Sequence, residues 1–148
     1  MMLRLGFLVA SVIALSATVG GGIYEHVVLD PAWPSHPRLI QSAHGGATRG
    51  RFWLPAHLLF EILLLCSLAL SWRSASIRVW LLLAVAGHVA TRLWSALYFI
   101  PRAMAFEKAD AVDESMARRW TLGSRFRLPV ELLTLALLLN GLRIALGQ

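Results

Sequence analysis

The sequence predicts an all-α integral membrane protein, a single domain built as a bundle of four transmembrane helices. Hydrophobic residues make up 57% of the 148 residues and charged residues only 15%, whereas soluble domains average about 25% charged residues. Each of four apolar stretches is long enough to cross a bilayer as a helix, which takes about 20 residues. These stretches give spans at about 5–29, 53–72, 77–100 and 120–146.

The spans are expected to be helices because backbone polar groups in lipid must be paired within the chain. The strands of a membrane barrel would alternate polar and apolar residues, and the run Ile62–Leu65 does not. The first stretch also has features of a signal peptide, with Arg4, an apolar core and small residues near Ala17. Its apolar run continues to Leu29, however, which favours a membrane span.

The connections between the spans alternate in length. A long loop covers 30–52, a tight turn covers 73–76, and a charged segment at 101–117 is predicted to hold a short surface helix. Four spans place both termini and the tight turn on one side of the membrane and the long loops on the other. The Lys/Arg distribution leaves the orientation open, since arginines occur on both sides.

The net charge of +6 would point to nucleic acid in a soluble protein. Here the basic residues are scattered beside apolar spans, so we expect them to contact the headgroups of the lipid bilayer and expect no nucleic-acid partner. The only cysteine, Cys66, rules out an intrachain disulfide.

The charged residues and histidines deep inside the spans cluster in the half of the membrane next to the long loops. Charged groups within a bilayer are costly and therefore hint at function. His57 and Glu61 are four residues apart and share a helix face, and His88 and Arg92 repeat that spacing on the next helix. The full set is Tyr24, Glu25, His26, His57, Glu61, His88, Arg92, Tyr98, Trp120, Ser124, Arg127 and Glu131.

This set is compatible with several chemistries. Histidine and carboxylate side chains are standard metal ligands, which makes His26, His57, Glu61 and Glu131 candidates. A haem would need axial histidines on facing helices, such as His57 with His26 or His88. The E-x-x-H repeat of di-iron bundles is absent.

Structural explanations compete with these functional ones. Glu61 and Arg92 are expected to form an ion pair between helices 2 and 3 if their role is only structural. If Pro129 marks the first turn of the last helix, Arg127 becomes a loop residue.

Two short motifs carry a resemblance to a known family. The first motif is Gly22-Ile23-Tyr24-Glu25-His26-Val27-Val28, followed by Pro31 and Trp33, and the second is Arg119-Trp120 followed by Ser124 and Arg127. Both resemble motifs of a family of small four-span bacterial membrane proteins similar to anthrone oxygenases. In the family an Asn usually stands where Ser124 stands here. The resemblance implies an oxygenase that acts on an aromatic or quinone-like substrate without an obvious metal or flavin.

We therefore expect a multi-pass oxidoreductase of the bacterial inner membrane that acts on a small lipophilic substrate. Glu61 or His57 would be the general base, and Arg92 and Arg127 would stabilise an oxyanion. The remaining residues of the set would bind or orient the substrate. The alternatives are a protein that binds haem, a metal or a quinone, and a non-catalytic membrane subunit. The oligomeric state is not predicted.

Overall fold

A computed structural model describes residues 2–148 and confirms the all-α four-helix bundle. Four helical stretches are long and apolar enough to cross a membrane, Met2–Leu29, Gly50–Leu70, Ala75–Lys108 and Glu114–Leu146. Their components are α1 (Met2–Tyr24), α2 (Gly50–Leu70), α3 (Ala75–Trp94), α4 (Ile100–Lys108), α5 (Glu114–Arg125) and α6 (Arg127–Leu146). Most of the large hydrophobic side chains on these helices point outward, as a lipid surround requires.

Two π-helical segments interrupt the first and third spans. Glu25–Leu29 follows α1, and Ser95–Phe99 joins α3 to α4. The third span therefore runs on to Lys108, and the separate surface helix predicted within 101–117 is wrong. The fourth span begins at Glu114, six residues before the predicted start, where the Asp113 carboxylate accepts backbone hydrogen bonds from Ser115 and Met116. Hydrogen bonds from Ser115 and Met116 lower the pKa of Asp113.

The bundle is packed unevenly around its axis. α1 packs closely against α2 and α6, and α6 packs closely against α3, whereas α2 and α3 touch only sparsely. A buried hydrogen bond of 3.0 Å joins the hydroxyls of Ser11 on α1 and Ser67 on α2. Gly87 on α3 lies against Thr134 on α6, where an added Cβ would be 2.5 Å from the threonine hydroxyl. The sparse contact between α2 and α3 leaves one side of the bundle less closed than the others.

The predicted topology is also confirmed at the membrane side that carries the termini. The Gln148 side chain donates to the Ser74 and Ser76 hydroxyls at 3.4 and 3.2 Å and accepts from Arg4 at 3.3 Å. Both termini and the tight turn therefore meet on one side. That half of the bundle holds an aliphatic core around Leu8, Leu64 and Leu81.

The half near the long loops has an aromatic core instead. Trp33 from the long loop packs against Phe106 of α4 and Trp120 of α5, with ring centroids 5.4 and 5.9 Å apart. The Gln41 side chain ties the same loop to the end of α4 by donating to the carbonyls of Phe106 and Ala109 at 3.2 and 2.7 Å. The loop is thus part of the folded domain and covers one end of the bundle.

Candidate functional site

A cavity of about 630 Å³ lies in the half of the bundle next to the long loops. Most of its wall is apolar or aromatic, and several charged side chains reach it from all four spans. Its polar lining residues are Glu25, His26, Thr48, Arg49, Arg51, His57, Arg92, Ser95, Glu107, Arg127 and Glu131. A volume within about 300–1,000 Å³ and a mostly apolar wall with a few polar groups are typical of small-molecule sites.

His57 lies on the wall of the cavity, two turns into α2. Its ring stacks on Trp53, one turn earlier on the same helix, with centroids 5.3 Å apart and planes 19° apart. No hydrogen bond within residues 2–148 holds either ring nitrogen. Stacking therefore orients the imidazole and leaves its nitrogens available to a ligand.

His88 lies behind His57, outside the cavity wall. Its ring centroid is 6.4 Å from that of His57 and 4.9 Å from that of Phe60, which meets it edge-on. His88 is buried, and its Nε2 has no hydrogen-bond partner within the described chain. His88 was predicted to bind the substrate, but it lies outside the cavity wall and is separated from the cavity by His57.

Arg127 is held on the opposite wall by three contacts. Its Nη1 donates to the Ser95 hydroxyl at 3.0 Å, and its Nε donates to the Ser124 carbonyl at 3.2 Å. The guanidinium carbon lies 4.5 Å from the centre of the Phe99 ring. Ser124, which was predicted to bind the substrate, is fully buried and contacts Arg127 only through its backbone carbonyl.

Local sequence explains why Arg127 reaches the cavity. The helix is interrupted at Phe126, and Arg127 is the first residue of α6. Pro129 lies in that first turn and has no N–H for the carbonyl of Arg125, so an unbroken helix could not pair that carbonyl. The last helix therefore begins close to Pro129, as the alternative predicted, but the expectation that Arg127 would be a loop residue is wrong, because Arg127 is helical and lines the cavity.

Arg92 lines the cavity from α3 without a partner of its own. No acidic group lies within ion-pair distance of its guanidinium in residues 2–148, and the structural Glu61–Arg92 pair is therefore wrong. Glu131, which also lines the cavity, likewise forms no ion pair within that range. An unpaired arginine at this depth is costly unless water or an anionic group of a ligand meets it.

A network of ion pairs closes the end of the cavity beneath the long loop. Arg49 donates to the Glu25 carboxylate at 3.2 Å and to the Glu107 carboxylate at 3.1 and 3.2 Å. Its guanidinium also lies 5.7 Å from the Trp33 ring and 5.5 Å from the Trp120 ring. We call Arg49 with these four neighbours the Arg49 cluster. It joins the first span, the long loop, α4 and α5.

Beside the Arg49 cluster, a second set of hydrogen bonds fixes His26. Its Nδ1 lies 2.7 Å from Asp30 Oδ2, and the other Asp30 oxygen accepts from the Trp33 indole at 3.0 Å. Asp30 is buried and thus has two partners for its charge. The Asp30 contact holds the His26 ring toward the cavity, which His26 lines.

The structure brings most of the predicted site residues together. Those that line the cavity are Glu25, His26, His57, Arg92, Trp120, Arg127 and Glu131. The other five do not line it. Tyr24, Glu61 and Tyr98 have exposed side chains on the outside of the bundle, and His88 and Ser124 are buried behind the cavity wall. Of the two predicted general bases, only His57 therefore lies on the cavity wall.

The metal candidates do not form a ligand set. No group of three or more His, Cys, Asp or Glu side chains in residues 2–148 is arranged to hold a metal ion. Of the four predicted ligands, His26, His57 and Glu131 line the cavity and Glu61 lies outside it.

Sequence reasoning missed four residues that shape the site, Asp30, Arg49, Ser95 as a partner of Arg127, and Glu107. Asp30 had a usable signal, because it lies four residues after His26 on a helical stretch. Arg49 had none, since its position in a loop rich in Gly and Thr follows from tertiary contacts alone.

Comparisons with protein-family models, characterised proteins and solved structures give no match for this chain.

Proposed function

We propose that this protein is an oxygenase-like oxidoreductase of the bacterial inner membrane that acts on a small lipophilic aromatic or quinone-like molecule inside the cavity. One observation carries the proposal. The His57 imidazole and the Arg92 guanidinium both lie on the wall of the same apolar cavity, and neither has a hydrogen-bond partner in residues 2–148. A base without a partner can take a proton, and a cation without a partner can hold the negative charge that results.

The reaction uses His57, Arg92 and Arg127, all of which line the cavity. His57 takes a proton from an activated C–H of the substrate, such as a methylene group between a carbonyl and an aromatic ring. The electron pair moves onto the carbonyl oxygen, and Arg92 and Arg127 stabilise that oxyanion. Dioxygen, the oxidant, adds at the carbon, and the peroxide takes the proton back from His57. Loss of water then leaves a new carbonyl, so that CH₂ and O₂ become C=O and H₂O.

The aromatic wall supports this class of substrate. Phe99, Trp53 and Trp120 border the cavity, and flat aromatic rings offer stacking or edge-on contacts to another ring. The Phe99 ring already carries the Arg127 guanidinium 4.5 Å from its centre. A bound ring at this wall would therefore place its oxygen near Arg127.

The test is oxygen uptake by the purified protein in liposomes, with anthrone and a series of hydroquinones as substrates. We expect His57→Gln and Arg92→Gln each to lower the uptake rate by about 100-fold or more. Arg78→Gln, at the other end of α3 and outside the cavity, is the matched control and should keep the wild-type rate. Size-exclusion profiles in detergent establish that the variants are folded.

Three outcomes would contradict the proposal. Wild-type protein that consumes no oxygen with any of these substrates would refute the oxygenase function. Loss of uptake in Glu61→Gln but not in His57→Gln would refute the assignment of the base. Stoichiometric metal in elemental analysis, or a haem band in the absorption spectrum, would replace cofactor-independent chemistry with that of a bound group.

A further inference from the structure

One part of the rim of the cavity is formed by large apolar side chains that are exposed on the outside of the bundle, and the polar residues Thr48 and Arg51 form another part. Leu54 in α2 is 72% exposed and Met104 in α4 is 48% exposed, yet both line the cavity. Ile100, at the start of α4, has the same two properties. These three residues therefore mark where the cavity reaches the outer surface, and we call them the apolar mouth.

The position of the apolar mouth agrees with the packing of the bundle. α1 lies between α2 and α6, and α6 packs along α3, so those three boundaries are closed. The sparsely packed boundary is the one between α2 and the third span, and the apolar mouth is on it. The Arg49 cluster and the packed long loop cover the end of the cavity beside α1.

The mouth lies near the long-loop ends of the two spans that form it. Leu54 comes four residues after the start of α2, which is about 6 Å along the helix axis. Trp53, beside it, is of the type that concentrates at membrane interfaces. Arg51, one turn earlier and exposed, also lines the cavity and provides a positive charge at the outer edge.

From these features we infer that the substrate enters sideways from the membrane through the apolar mouth and is a membrane-dissolved amphiphile. Its oxygen-bearing ring would occupy the polar wall at Arg92 and Arg127, and an alkyl chain would leave between Leu54 and Met104 into lipid. This inference rests on the proposed function, because it names the substrate class and access route of the same cavity.

The experiment blocks the mouth after the protein has folded. In a Cys66→Ala background, Met104→Cys or Leu54→Cys is introduced and modified with a benzyl methanethiosulfonate, which a reducing agent removes. Leu58→Cys is the matched control, because Leu58 is exposed one turn further along α2 and does not line the cavity. Binding of an alkyl benzoquinone in liposomes is followed by quenching of tryptophan fluorescence in a stopped-flow instrument, since Trp53 and Trp120 border the cavity.

We expect modification at either mouth position to slow quenching at least tenfold, reduction to restore it, and modification at position 58 to leave it unchanged. Equal quenching rates before and after modification at both mouth positions would overturn the inference. So would faster binding of a water-soluble quinone sulfonate than of the alkyl quinone. If the unmodified protein binds neither quinone, the proposed function itself fails, and that result is distinct from an ineffective block.

Discussion

Arg49→Met should lower the free energy of unfolding far more than the same substitution at any exposed arginine of the protein. The Arg49 side chain is 8% exposed, and its partners Glu25 and Glu107 are 14% and 31% exposed. Removing one member of a buried ion pair leaves the other charge without compensation and costs about 3–5 kcal/mol. Because Glu107 is nearly a third exposed and can be hydrated in part, we expect a loss of about 3 kcal/mol, most of it from Glu25.

The assay is reversible unfolding in mixed micelles by titration with sodium dodecyl sulfate, followed by circular dichroism. Arg118→Met is the control, since the Arg118–Glu114 pair is 54% and 51% exposed. Exposed ion pairs contribute about 0–1 kcal/mol, so that variant should unfold close to the wild type.

A combined variant tests whether charge compensation is the cause. Arg49→Met with Glu25→Gln and Glu107→Gln removes all three charges, and we expect it to recover most of the lost free energy of unfolding. If Arg49→Met costs no more than Arg118→Met, the cluster does not hold the spans together. If the triple variant is as unstable as the single one, the loss comes from packing against Trp33 and Trp120 rather than from charge.

Two further predictions concern the contacts of α3 and use the same unfolding titration. Gly87→Ala should cost about 1–3 kcal/mol by overpacking against the Thr134 hydroxyl, and Thr134→Ala in the same chain should restore stability. Gly20→Ala, where an added Cβ meets no atom within 4 Å, is its control, and equal stability of the two alanine variants would contradict the close contact. His88→Phe should raise stability by about 1 kcal/mol, because it removes an unpaired buried nitrogen and keeps the edge-on ring contact with Phe60. A loss of stability would show that His88 Nε2 has a partner.

The four spans could be predicted because lipid leaves few options for a backbone. Apolar length alone located all of them, and the ends differ mainly where helices continue into charged sequence. The third span extends to Lys108 through Glu107, whose carboxylate accepts from Arg49. Hydropathy cannot detect such an extension, since it is stabilised by a tertiary contact and not by lipid.

The site could be predicted only in part, because helical spacing gives a face and not its neighbours. His57 and Arg127 were identified from their depth, and both line the cavity. Glu61 shares a face with His57 to within about 40° of rotation, but the cavity reaches only the first turns of α2. Tyr24 lies outside the cavity for a related reason. It is one residue from Glu25 and therefore lies about 100° around the helix, on the outer surface.

The two π-helical segments connect the fold with the site. Each holds about one residue more than an α-helical turn and therefore changes the rotation of everything after it. On the third span, Arg92 lies before the π segment and Ser95 is its first residue. Ala103 and Glu107 lie after the segment. All four residues line the cavity.

In an unbroken α-helix the fifteen residues from Arg92 to Glu107 would turn the later side chain about 60° past the earlier one. The wider turn reduces that difference and lets a single helix supply both the deep cation at Arg92 and the carboxylate that meets Arg49. The segment also leads to Phe99, whose carbonyl accepts from the Trp120 indole at 3.2 Å. The irregular backbone thus allows one span to supply both Arg92 on the cavity wall and Glu107 at the covered end. This agrees with the frequent occurrence of π segments at functional sites.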